Sequence, residues 1–247
     1  YEDIGIRRGD QFIQINTSVL QIENEYYSAM RPKRTTQREE KPIQALEARG
    51  VEYIEVRCLD LDPFSPVGVN EAQVDFLDLF LLDCLLSDSP RIGDEECERL
   101  DDNYKDVVAN GRYRELKLCR AGERTPVSEA ATDILAQLEP LAELLDSWQA
   151  GDTYRRALAA QREVLTGEWT VPSARVLDAM RSSGLGHREW GMEIAQQHQQ
   201  TLRQEGLDAS VRQAFEAMTA ESLAEQAQME RADTLPFSEF LEQYLAS

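Results

Sequence analysis

Strand-like patterning is confined to the first sixty or so residues, and helix-like sequence fills the rest of the 247-residue chain. That split constrains the fold more than any single motif. A few short strands do not make a stable sheet in water unless other strands or helices cover them. The expected class is α+β, with antiparallel strands at the front and a mostly helical remainder. Residues 1–60 are expected to form part of a catalytic β-sheet, and residues 61–247 a helical region packed on it. Further strands are expected to lie outside this sequence.

The run Glu52–Asp60 is the clearest strand. Tyr53, Glu55 and Arg57 lie two apart and share one face, while Ile54, Val56 and Cys58 share the other. Taken alone, the segment reads as an exposed ion pair on a half-buried sheet. Phe12–Tyr27 is rich in β-branched and aromatic residues and reads as one long strand or two short ones. Arg31-Pro32-Lys33-Arg34 reads as a basic loop. Thr35 or Thr36 can cap a helix over about 38–49, which Gly50 would stop.

Asp62 to Gly68 holds two prolines and a glycine and reads as a loop, after which Asn70 caps a helix to about Leu86. Helices are expected over 94–109, 128–150, 153–165, 173–182, 188–204, 207–231 and 236–245, with a weak strand over 113–120.

Composition narrows the function. Acidic residues outnumber basic ones 46 to 26, for a net charge of −20, which disfavours nucleic-acid binding over a broad surface. No apolar run reaches the roughly 20 residues that span a bilayer. The nearest, Phe76–Leu86, is interrupted by Asp78 and Asp83. Cys58, Cys84, Cys97 and Cys119 form no CxxC pair and read as reduced thiols of a cytoplasmic protein. The chain opens on Tyr1 without an apolar leader, as a fragment or a processed or trimmed product would.

Three features suit one kind of site. Glu23, Glu25 and Glu55 form a row of carboxylates, the ligand type that Mg²⁺ prefers. Arg57 stands beside Glu55, placed to hold a transferring phosphoryl group. The Arg31–Arg34 run can meet nucleotide phosphates. Each also has a plain reading, as a solvated face or a surface loop. There is no Walker-type loop and no dinucleotide fingerprint. Mg²⁺-dependent phosphoryl chemistry therefore stays open beside the plain reading.

The stretches Gln14-Ile15-Asn16, Val19 to Tyr27, Arg31 to Arg34, Tyr53 to Arg57 and Pro63 to Gly68 resemble, in order and spacing, the bacterial single-chain glutamate–cysteine ligases (γ-glutamylcysteine synthetases). Ala232 to Phe237 is similar to that family's C-terminal end, so the likeness is to its C-terminal half. The resemblance implies a glutamine-synthetase-like curved antiparallel sheet. It implies ATP- and Mg²⁺-dependent ligation of L-glutamate to L-cysteine through γ-glutamyl phosphate, the first step of glutathione synthesis. It assigns Glu55 to Mg²⁺, Arg57 to the transferred phosphoryl group, Tyr27 to the cysteine pocket, and Arg31, Lys33 and Arg34 to the nucleotide. It places the family's other metal ligands and its glutamate-binding arginine before Tyr1, so the partner implied is an N-terminal half of the same enzyme. His187 and His198 read as surface or interface residues. The alternative is a non-catalytic fragment that acts as a structural partner of that half.

Overall fold

The computed structural model describes residues 1–37, 40–167 and 170–246. They form two compact units: Tyr1–Asp60 with Leu207–Ser247, and Leu61–Gly206. The class is α+β, with every strand pair antiparallel.

The Leu61–Gly206 unit is built on three helices. Asn70 starts α2 (Glu71–Leu86) with a reciprocal cap: its side chain accepts from the Gln73 N–H at 3.0 Å, and Gln73 Oε1 accepts from the Asn70 N–H at 2.9 Å. α2 packs against α4 (Val127–Gln149) and α5 (Thr153–Thr166). Their apolar faces meet at Leu79, Leu135, Leu138, Ala142, Tyr154 and Leu158, all buried. Asp146, near the end of α4, is itself buried and takes the Tyr154 N–H at 2.9 Å and the Arg155 N–H at 3.1 Å. One helix thus caps the next, satisfying donors that α5 cannot satisfy internally.

The acidic α3 (Asp94–Asn110) is followed by a hairpin, β5 (Lys117–Arg120) with β6 (Glu123–Pro126). The second strand of this hairpin was not expected. The Asn103 side chain clamps Cys119, donating to its carbonyl and accepting from its N–H, both at 2.7 Å. α6 (Pro172–Ser183) and α7 (His187–Glu205) complete the unit. His187 is exposed. His198 is half-buried, its Nε2 lying 2.8 Å from the Pro63 carbonyl, so it anchors the 62–68 loop to α7.

In the other unit, β1 (Arg7–Arg8) and β2 (Gln11–Phe12) form a small hairpin, and the Phe12 ring meets Phe237 of α9 (Phe237–Ala246) edge to face at 6.0 Å. The expected strand over Phe12–Tyr27 is a series of bends that ends in a 3₁₀ turn at Glu23–Glu25. The cause is local side-chain capture of the backbone. Gln21 Oε1 takes the N–H groups of Ile15 (2.7 Å) and Asn16 (3.2 Å), and Asn16 Oδ1 takes that of Ser18 (2.7 Å). These bonds compete with a ladder and win.

The expected basic loop is instead a strand, β3 (Met30–Lys33), antiparallel to β4 (Tyr53–Val56) with Arg31 opposite Glu55 and Pro32 opposite Ile54. The Arg57 N–H donates to the Ala29 carbonyl at 2.7 Å, which makes alternate pairs along the ladder hydrogen-bonded and leaves Pro32 at a non-bonded position. Its missing N–H therefore costs nothing. α1 (Pro42–Arg49) follows β3, starting later than the expected helix and with Lys41, not a threonine, at its N-cap; residues 38–39 lie outside the described part. Gly50 ends it at φ 72°, its N–H bonded to the Leu46 carbonyl. α8 (Ala209–Ala232) is long and has no buried residue.

Candidate functional site

Residues opposite one another in an antiparallel pair point to the same side. The register therefore gathers Arg31, Lys33, Tyr53, Glu55 and Arg57 on one face of β3–β4. Glu55 is the hub of this face. Its Oε1 accepts from Arg57 Nε at 2.8 Å, and its Oε2 accepts from Arg57 Nη2 at 3.1 Å and lies 3.0 Å from Lys33 Nζ. The Arg57 contact is bidentate, the geometry that fixes a guanidinium in both position and plane. The hydrogen bonds from Arg57 first, and then Lys33, bring the Glu55 carboxyl down from its ordinary 4.5 to about 2, and Glu55 in turn raises the Arg57 guanidinium.

Tyr27 joins this group: its ring centroid is 5.7 Å from Arg57 Cζ. Tyr27, distant in sequence, thus meets the Glu55–Arg57 pair at Arg57, and all three were singled out for the site. Glu25 does not join them. Glu25 Oε2 accepts the Gln21 N–H at 2.9 Å, and the Glu23 side chain lies outside the described part. Among the described residues no three His, Cys, Asp or Glu side chains are placed to hold a metal ion. Mg²⁺ takes near-octahedral oxygen ligands, so one carboxylate already engaged by two cations does not make its site.

Beside the strand pair opens a cleft of about 620 Å³, lined by Arg31, Lys33, Arg34 and Arg57, with Tyr53, Ile43 and Leu46 supplying an aromatic and apolar part. Among the described residues no Asp or Glu lines it. The four cations differ in what they already do. Lys33 and Arg57 are paired with Glu55. Arg34 Nη1 donates to the Arg49 carbonyl at 3.1 Å, at the end of α1, and its Nε lies 3.7 Å from Glu52. The Arg31 side chain makes no hydrogen bond or ion pair with any described residue.

Sequence reasoning missed the brace behind this cleft. Arg49 donates to both oxygens of Glu40, at 2.8 and 2.7 Å, and to the Thr35 carbonyl at 3.1 Å. Glu52 accepts the Thr35 N–H at 2.9 Å. Thr35 is thus held from both sides. These partners follow no fixed spacing; the only signal was a basic residue in the last turn of α1.

The Glu55 hub makes a pH-dependent prediction. A carboxyl whose folded titration point lies below its unfolded one contributes stability above the unfolded value and loses it as pH falls through the folded one. The Glu55 side-chain carboxyl, followed by NMR, should titrate near 2. The Lys33–Glu55–Arg57 cluster should then persist at pH 3.5, where ordinary glutamates are protonating. A midpoint near 4.5 would show the cluster absent in solution.

Comparison with known proteins bears on this geometry directly. Residues 1–107 match the sequence profile of the glutamate–cysteine ligase family. Over its whole length the chain is 47% identical to the glutamate–cysteine ligase of Azotobacter vinelandii, and over 99% of its length 45% identical to that of Hahella chejuensis. The crystal structure of glutamate–cysteine ligase from Francisella tularensis in complex with AMP superposes with a TM-score of 0.86, at 29% identity over 99% of this chain and 48% of that one. The chain is related along its whole length to the glutamate–cysteine ligase family. It spans about half the length of the curated relatives it matches, 47% in each case.

Proposed function

We propose that this chain is the C-terminal half of a cytoplasmic glutamate–cysteine ligase and forms one wall of its active site. The reaction joins the γ-carboxylate of L-glutamate to the amine of L-cysteine at the expense of ATP, giving γ-glutamylcysteine, the first step of glutathione synthesis. A γ-carboxylate oxygen attacks the ATP γ-phosphorus and ADP leaves. The cysteine amine then attacks the carbonyl of the γ-glutamyl phosphate, and phosphate leaves.

The observation that supports this reading is the cleft. In a chain of net charge −20, the described residues that line one opening include four cations and no carboxylate, beside an exposed aromatic ring. That combination fits a polyphosphate with a planar base. Within it Arg57, held in plane by Glu55, is the catalytic contact to the transferring phosphoryl group. Arg31, Lys33 and Arg34 take the nucleotide phosphates, and Tyr27 lines the cysteine pocket. Glu55 would be one oxygen ligand to a Mg²⁺, with the other ligands in the part of a family-length protein that this chain does not span, and the ion would neutralise phosphate charge. The AMP bound to the Francisella relative favours the nucleotide part of this reading.

Arg31, whose side chain has no partner among the described residues, is the test. In a family-length protein carrying this chain, Arg31→Ala should weaken ATP binding by about 10- to 100-fold, the worth of one charge-assisted hydrogen bond, with kcat little changed. Calorimetric titration with ATP reads this. Unchanged ATP affinity would take the nucleotide out of this cleft.

A further inference from the structure

The Tyr1–Asp60 and Leu207–Ser247 unit lacks a core of its own. Among the described residues its buried apolar side chains are Ala45 and Leu241. Large apolar side chains stay in water instead, among them Val19, Tyr26, Phe215 and Met218, each more than half exposed. Burial on this scale cannot offset the conformational entropy of ordering about a hundred residues. The other unit, by contrast, closes on the Leu79–Leu138–Leu158 cluster.

The area of the chain gives the same answer. It exposes 18,781 Å² at 28.1 kDa. A folded monomer of that mass exposes about 11,000 Å², and two separate bodies of the sizes of these units about 13,000 Å². More than about 5,000 Å² is thus exposed beyond what closed bodies leave, against about 800 Å² per partner in a standard association. A second copy meeting the chain through an ordinary dimer contact would leave most of it uncovered.

Part of it is a defined stripe. Val211, Phe215, Met218 and Met229 fall within about 60° of one another around α8, and all four are exposed. We infer that the exposed apolar surface of this unit, including the α8 stripe, is the seat of the complementary half of a family-length glutamate–cysteine ligase. The share of each relative that this chain leaves unmatched, slightly more than half, supplies an occupant of the right size. The inference rests on the reading that a complementary half completes the site, and it deepens that reading by naming where the half sits.

The test is amide hydrogen exchange on this chain, alone and co-expressed with the part of the Azotobacter vinelandii relative that it does not match. Alone, the α8 amides should exchange at least about a hundredfold faster than those of α4 and α5. With the complementary half, α8 protection should rise at least about tenfold while α4 and α5 stay as they were. The double variant F215E/M218E should abolish both uptake and the added protection, and leave α4 and α5 protected in the isolated chain. Full α8 protection in the isolated chain, failure to take up the half, or uptake undiminished in the variant would each overturn the inference. So would α8 protection that tracks a concentration-dependent dimer in sedimentation. Exchange is read without substrates. Uptake without ligation would remove the catalytic proposal and leave this one standing.

Discussion

Arg57→Ala is expected to lower kcat about 10²- to 10³-fold in a family-length protein carrying this chain, the usual loss when one preorganised donor to developing charge is removed. The physical reason is the geometry of the Glu55 hub. Arg57 is fixed by two bonds at 2.8 and 3.1 Å, so in the proposed role its guanidinium would meet a phosphoryl group without first being ordered. The substitution should not unfold the chain, because the Arg57 side chain is partly exposed and belongs to no core cluster. Arg57→Lys should recover little, since an ammonium cannot reproduce the fork. Steady-state kinetics with circular dichroism as the control reads both. Turnover within about threefold of the parent would remove Arg57 from the reaction.

Asp146→Ala is expected to destabilise the Leu61–Gly206 unit by about 2–4 kcal/mol, mid-range for losing a buried cap that serves more than one donor. Three donors lose their acceptor together: the Tyr154 and Arg155 N–H groups and Arg155 Nε, the last at 2.9 Å. Burial works against the charged form of Asp146, yet these bonds outweigh it and hold the carboxyl below its usual range. Arg155 is largely exposed, so most of the loss belongs to the two backbone N–H groups. Asp146→Asn should lose less, because an amide oxygen still accepts. Denaturant unfolding followed at α4 and α5 measures the difference. A change under about 0.5 kcal/mol would mean that water replaces the carboxylate there.

Legibility followed the range of the interactions. The helix ends at Asn70, Gly50 and Gly111 were readable because caps act within one turn. The shared face of Tyr53, Glu55 and Arg57 was readable because alternation is intrinsic to a strand. β3 was hidden because Pro32 argues against a strand until its partner and register are known. Phe12–Tyr27 misled because β-branched composition says nothing of Gln21 reaching back to Ile15 and Asn16. The cap on α5 was hidden because its acceptor sits on the preceding helix, eight residues before Tyr154.

By itself the sequence determined the class of the chain, the helix boundaries other than the start of α1, and the pairing of Glu55 with Arg57, all consequences of spacing within one element. The motifs of the first seventy residues also carried the resemblance to the glutamate–cysteine ligases. Tertiary structure alone decided that Tyr27 reaches Arg57, that Lys33 shares the Glu55 carboxylate and that Glu25 is spent on a backbone N–H. Those outcomes depend on strand register and loop closure, which bring together residues up to thirty positions apart through bonds that no local pattern encodes.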